Sequence, residues 1–267
     1  GRILTVVICA SCMHALVVTA EEVNDGVHVM PDGHSMTDAE MEALGYHQML
    51  DGTWMTMAGM SSTEMMGLMM GCGMTSCESS SRFILENRVM HDAMALDFTG
   101  DPEVDLVRGM IAHHQGAIAM CAVARETAGT NNGIDGGTTQ PVLDSTVTAM
   151  CDQVETEKAA EIAAMTSWLE GKGYTATTSC EDSDSQDIRM GVVMGCGDTS
   201  SMSSQLYIAE NMATRHGMAI EYSCNPGVDL VRARIPHHVG AIWMCKIARA
   251  SVTGDMSYLE NSIHLMP

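Results

Sequence analysis

Aromatic side chains and positive charge are both scarce in this 267-residue chain. It has two Phe, three Trp and five Tyr, so other side chains must fill any core. Lys and Arg number 13 against 34 Asp and Glu, giving a net charge of −21. That balance argues against nucleic acid, whose binding needs a basic face. A cationic ligand suits it better, and an acidic surface adapted to salt accounts for it as well. No Glu is followed three residues later by His, so the Glu-x-x-His signature of di-iron bundles is missing. Beyond residue 20 there is no Cys-x₂-Cys pair of the zinc-site kind and no run of roughly 18 apolar residues that could span a membrane. Neither a blue-copper ligand spacing nor a nucleophile–base constellation stands out, so no catalytic activity is expected.

Methionine is abundant, 27 residues against 14 Leu. Met is flexible and can replace Leu in a core, but it is also readily oxidised, so its excess in an exported chain asks for a reason. Export is expected because residues 3–19 are apolar, follow Arg2, and end in the small-residue segment Val18-Thr19-Ala20 before Glu21. That pattern reads as a signal peptide over residues 1–20. Its removal leaves eight cysteines and a charge of 12 − 34 = −22, with no stable membrane span, in a periplasmic or extracellular setting that permits disulfides.

Residues 21–71 read as a Met-rich, irregular arm. Pro31-Asp32-Gly33 forms a turn with His28, Met30, His34 and Met36 around it. A short helical pattern follows from Thr37 to Gly45, with Glu40 placed to close a capping box. Met55, Met57, Met60, Met65, Met66, Met69 and Met70 are spaced too irregularly for one helix face. Two readings fit the arm: a thioether-rich scavenger of soft ions such as Cu(I) or Ag(I), or a linker in which Met is merely frequent.

An internal repeat governs the rest. Residues 70–121 and 194–245 align without gaps at an offset of 124, with 27 identities in 52 positions. Each copy opens on Met-Gly-Cys-Gly and a Ser-rich cap. A first helix is expected over 81–98 and again over 205–222. Asp101-Pro102 and Asn225-Pro226 then start a second helix, with the side chain at the N-cap and Pro in the first turn. It should end near 128 and 250. A third helix is expected over 141–171, with Val147, Met150, Val154, Met165 and Trp168 at helical spacing. Only its beginning, 258–266, is present in the second copy. The divisions are therefore 72–175 for the first unit and 176–267 for a truncated second one. Antiparallel bundles follow, either as two units or as one body in which each copy completes the other. Self-association is a further way to complete the truncated bundle.

The second helix carries the chemistry. His113 and Met120 lie seven residues apart, about 700° of helical rotation, and so line up two turns apart. His114 and Cys121 form a neighbouring column, with Met110 between the two. The copy has His237, His238, Met244 and Cys245. This is a soft-metal donor set, or a helix core with unusual occupants. Asp105 and Arg108, kept as Asp229 and Arg232, are spaced for an ion pair. A role for Asp105 in orienting His113 or His114 is the alternative. Cys121 and Cys151 can staple the second and third helices, and Cys72 with Cys77 can close a local loop.

Met90-His91-Asp92-Ala93-Met94, Thr99-Gly100-Asp101, the run from Val104 to Met120, and Glu161 to Leu169 resemble the CopM-type family of exported, ferritin-like helical proteins associated with periplasmic copper. The resemblance covers about 87–170 fully and 211–267 in part. It implies a duplicated, ferritin-like, all-α bundle and a ligand set of Met90, His91, Met94, Met110, His113, His114 and Met120. In the second copy His216, Met218, His237, His238 and Met244 are the corresponding candidates. There Met110 is replaced by Arg234, Met90 by Thr214 and His91 by Arg215, so weaker cation binding is expected. His with Met favours Cu(I), while imidazoles alone can take Cu(II). The function expected is copper sequestration or buffering. The alternative is a non-catalytic structural or interaction module in which Met serves as adaptable packing.

Overall fold

The computed structural model describes residues 71–130, 139–180, 183, 185–189 and 192–255, together with the backbone of four short strands nearer the N-terminus. The chain divides into two compact units, residues 1–66 and 67–266. In the first, β1 (Val27–Val29) pairs antiparallel with β2 (Ser35–Thr37), setting His28 opposite Met36. β3 (Tyr46–Gln48) pairs likewise with β4 (Trp54–Thr56). The expectation of an irregular arm is corrected over these segments. β-Branched residues lie on either side of Pro31-Asp32-Gly33 in the sequence, and an Asp-Gly pair separates the second two strands, so the local sequence favours hairpins. Of the helical pattern expected over 37–45, Thr37 belongs to β2 and the rest lies outside the described residues, as does the signal peptide.

Among the described residues the second unit has five helices with short strands between them, the all-α class expected. They are α1 (Glu78–Ala93), α2 (Pro102–Thr127), α3 (Ser145–Gly171), α4 (Met202–Gly217) and α5 (Pro226–Thr253). α2 packs against α1, α3 and α5, and α4 packs on α5. The two copies of the repeat therefore share one core through α2 and α5. The caps read from sequence form: Asp101 accepts from the amides of Glu103 and Val104, and Asn225 from those of Gly227 and Val228. Each satisfies amide groups that the first turn leaves without helical partners.

The first helix of each copy ends sooner than its sequence pattern suggests. α1 stops at Ala93 and α4 at Gly217, because the residues that follow are drawn into strands with the other copy. β5 (Cys72–Gly73) runs parallel to β9 (Glu221–Tyr222). β6 (Asp97–Phe98) runs parallel to the end of β8 (Val192–Gly197), which also pairs with β7 (Asp187–Arg189). Residues 72 and 97 have counterparts at 196 and 221, so the exchange is reciprocal: the Cys-Gly of each copy lies beside the chain leaving the other copy's first helix. Gly73 and Gly197 are required there. Both have positive φ, and a Cβ on either would fall 2.5 Å from a backbone oxygen of the paired strand.

Eight methionines, Met90, Met94, Met110, Met120, Met165, Met194, Met218 and Met244, are almost wholly buried. With Phe83, Leu169, Ile208, Leu230 and Ile247 they make the core, which explains how a chain poor in aromatics fills its interior. Met90 lies over Gly116, where a Cβ would sit 2.5 Å from its Cγ. The described helices include none long and apolar enough to cross a membrane.

Three disulfides close the unit. Cys121–Cys151 staples α2 to α3, as the sequence suggested. Cys180–Cys196 ties the segment after α3 to β8. Cys77 pairs with Cys224 across the two copies, 147 residues apart, instead of with Cys72, which is exposed on β5. Loop-closure entropy alone gives the 77–224 bridge about 5 kcal/mol and the 121–151 bridge about 3.5 kcal/mol. Replacing Cys77 and Cys224 by Ser should accordingly lower the denaturation midpoint more than replacing Cys121 and Cys151. Chemical unfolding of the two double variants checks this, and the reverse order would contradict the inter-repeat clasp.

Candidate metal centre at the helix crossing

α2 and α5 cross at equivalent histidines. The rings of His113 and His237 lie with centroids 3.5 Å apart and their planes tilted by 33°. His113 Nε2 donates to the backbone carbonyl of His237 at 2.8 Å, and His237 Nε2 donates to that of His113 at 3.1 Å. A carbonyl can only accept, so the proton of each neutral ring lies on Nε2. Nδ1 of both is then a bare lone pair, buried and without a hydrogen-bond partner. Burial, with the nearby His114, pushes His113 down to about 3. Burial, with His113 opposite, holds His237 well below the usual histidine range.

His91, in the last turn of α1, is fixed by one amide. Its Nδ1 lies 2.6 Å from Asn211 Oδ1, while Asn211 Nδ2 donates to the His91 carbonyl at 3.3 Å. This arrangement puts the ring proton on Nδ1 and leaves Nε2 as a third buried nitrogen without a partner. Burial lowers its pKa to about 3, the Asn211 bond opposing and the Arg215 charge adding to the drop. Asn211 was not singled out in sequence. Its signal was there, since Asn87 occupies the same position in the first copy.

His114 is oriented from α3: its Nε2 donates to Glu161 Oε2 at 2.5 Å, and Lys158 Nζ reaches the same oxygen at 2.8 Å. Burial and the Lys158 charge lower His114 to about 4, against the pull of Glu161. Glu161 thus holds His114 in the way considered for Asp105. Asp105 instead accepts from the amides of Thr99 and Gly100 and from the Thr99 hydroxyl. Arg108 does not bridge to it but donates to the carbonyls of Asp97 and Thr175.

The methionines of the expected ligand set, Met90, Met94, Met110, Met120, Met218 and Met244, are all within the shared core and no more than 5% exposed. Met244 Cε lies against Gly109 of the opposite copy. His216 is half-buried in the last turn of α4. His238 is exposed, and Arg234 Nε donates to its Nε2 at 3.0 Å, occupying the lone pair a metal would need. Among the described residues, no three His, Cys, Asp or Glu side chains converge as a ready metal cage. Bare imidazole nitrogens and thioether sulfurs are donor types that suit a soft cation. Comparison with known proteins finds no matching family model, curated protein or solved structure.

The protonation states bear on stability. His91, His113, His114 and His237 are kept neutral in the fold, but each takes up a proton near pH 6.5 once unfolded. Their contribution is complete above pH 6.5 and is lost as pH falls toward the folded values, at about 1.4 kcal/mol per pH unit for each ring. Buried Glu210, raised to about 8 by burial, acts oppositely: its contribution is present at low pH and lost as pH rises through 8. Denaturant titrations from pH 7 to pH 5 should show stability falling steeply. A flat profile would mean that these rings are protonated in the fold.

Proposed function

We propose that the protein is an exported copper-binding protein that sequesters or buffers Cu(I), with Cu(II) as the secondary state, in the His/Met core where the two copies of the repeat meet. One observation carries the reading: three buried imidazoles present neutral nitrogens without partners, His91 Nε2, His113 Nδ1 and His237 Nδ1, in a core rich in thioethers. A bare buried acceptor costs free energy, and a soft cation would relieve that cost. Donation from the opposite nitrogen fixes each ring's tautomer, which is the usual way a protein orients a metal-binding imidazole. The surrounding charge of −21 favours a cationic ligand.

On this reading, Met90, His91, Met94, Met110, His113, His114 and Met120 of the first copy and His237 of the second are the principal donors. His238, already bonded to Arg234, contributes less. The bundle is a duplicated, ferritin-like one, residues 1–20 are a signal peptide, and the three disulfides suit an oxidising, extracytoplasmic compartment.

A structural or interaction module is the second reading. It is favoured by the methionines being packed as core, with Met90 seated on Gly116 and Met244 against Gly109. A competition titration with Cu(I) against a chromophoric chelator separates the two. The wild type should withdraw copper. The His113→Ala/His114→Ala variant should withdraw markedly less, while the exposed-site variant His238→Ala should stay close to wild type, all three being checked for intact helicity. Equal withdrawal by wild type and double variant would remove the helix-crossing site, and no withdrawal by any would leave the structural module.

A further inference from the structure

The two hairpins near the N-terminus are themselves copies of one another. At an offset of 19, residues 26–41 and 45–60 agree at nine of sixteen positions, and the shared pattern is Gly-x-His-x-Met-x-Asp-Gly-x-x-Met-Thr-x-Ala-x-Met. The strands fall at the same places in both copies: β1 and β3 each begin one residue after the shared Gly, and five residues separate β1 from β2 and β3 from β4. The registers coincide as well. His28 is the Cα partner of Met36, and His47 is that of Met55. Residues directly opposite on antiparallel strands share one face, with Cβ atoms about 5 Å apart. Each hairpin therefore juxtaposes one imidazole-bearing and one thioether-bearing position.

What varies between the two hairpins shows what strand pairing alone asks for. Around the central pair, Val27 corresponds to Tyr46, Val29 to Gln48 and Ser35 to Trp54, so those register positions accept different side chains. The central position is His opposite Met in both, and neither is among the residues that strands favour. The surrounding chemistry points the same way. Residues 21–60 hold eight Asp and Glu and no Lys or Arg, a setting that attracts cations and repels anions. They hold no Cys, so the nitrogen and sulfur donors of their side chains are imidazole and thioether in kind. Thioethers select soft ions such as Cu(I) and Ag(I), whereas zinc sites are built from Cys, His and carboxylates.

We propose that each hairpin is a site for one soft monovalent cation, Cu(I) or Ag(I), built on its opposed His and Met: His28 with Met36 in the first, His47 with Met55 in the second. These filled-shell ions accept two-coordinate binding, so one such pair is a sufficient donor set. The retained Asp-Gly pairs, Asp32-Gly33 and Asp51-Gly52, are the sequence feature that favours reversal of the chain between the strands. That reversal sets the register, and the register brings together two donors that are eight residues apart in sequence. The inference is independent of the core site, since it rests on other residues in the other compact unit.

Ag(I), which needs no added reductant, serves as the probe: the full chain is dialysed to equilibrium against it and the retained metal is counted by mass spectrometry. His28→Gln/His47→Gln and Met36→Leu/Met55→Leu should each retain about two equivalents fewer than wild type, one per hairpin. Met65→Leu/Met66→Leu removes as many thioethers from outside the hairpin repeat and should retain as much as wild type. The count is a difference between variants, so metal held in the core or by thiols cancels. Should His113→Ala/His114→Ala lose no metal, the core site fails and the hairpin result still stands. In the wild type, Ag(I) should also shift the side-chain nitrogen resonances of His28 and His47 and the methyl resonances of Met36 and Met55, a readout that needs no substitution. The proposal is overturned if the hairpin variants retain as much Ag(I) as wild type, if Met65→Leu/Met66→Leu loses as much as Met36→Leu/Met55→Leu, if those resonances do not move, or if equimolar Zn(II) displaces the Ag(I).

Discussion

The reciprocal bonds between His113 and His237 set the frame of the helical unit. Each ring donates to the backbone of the other helix, so α2 and α5 are locked at equivalent points of the repeat. Contacts of this kind, in which residue i meets j and j meets i, belong to isologous pairing, ordinarily found between identical subunits. Here both partners are on one chain. The exchange of strands at both ends of the crossing, β5 with β9 and β6 with β8, obeys the same reciprocity. The constraint has a chemical consequence: with Nε2 of both rings committed to carbonyls, Nδ1 of both is left bare.

Against that symmetric frame, the departures of one copy from the other carry the functional reading. Met90 of the first copy fills the space over Gly116. Thr214 and Glu210 fill the corresponding space over Gly240. His91 of the first copy is held by Asn211 of the second, while Arg215, in the place of His91, turns to Asp92. Arg234 replaces a thioether and ties up the ring of His238. The first copy keeps more of the soft donors, and the second supplies His237 and the amide that orients His91.

Much of this was legible in the chain itself. The N-caps at Asp101 and Asn225, the extents of α2 and α3, the Cys121–Cys151 staple and the double-His motif depend on residues close in sequence or on a repeat that can be read directly. What escaped depends on how the copies meet. α1 and α4 end early because the residues after them pair with the other copy, and no local propensity encodes that partner. Cys77 finds Cys224 instead of nearby Cys72 for the same reason. The strands of the hairpins near the N-terminus are three residues each, too short to show an alternating pattern. The amide that orients His91 lies 120 residues away, and the methionine excess, which suggested metal donors, also turned out to be the substance of the core.

The central claim is that the core holds neutral imidazoles whose free nitrogens can take a soft cation. Long-range proton–nitrogen NMR of the histidine side chains tests it most directly. At pH 7, before copper is added, His113 and His237 should be protonated only at Nε2 and His91 only at Nδ1. On addition of Cu(I) under reducing conditions that spare the disulfides, the unprotonated nitrogens should shift while the protonated ones remain protonated. Imidazolium signals from these rings at pH 7, or unprotonated nitrogens indifferent to Cu(I), would contradict the account.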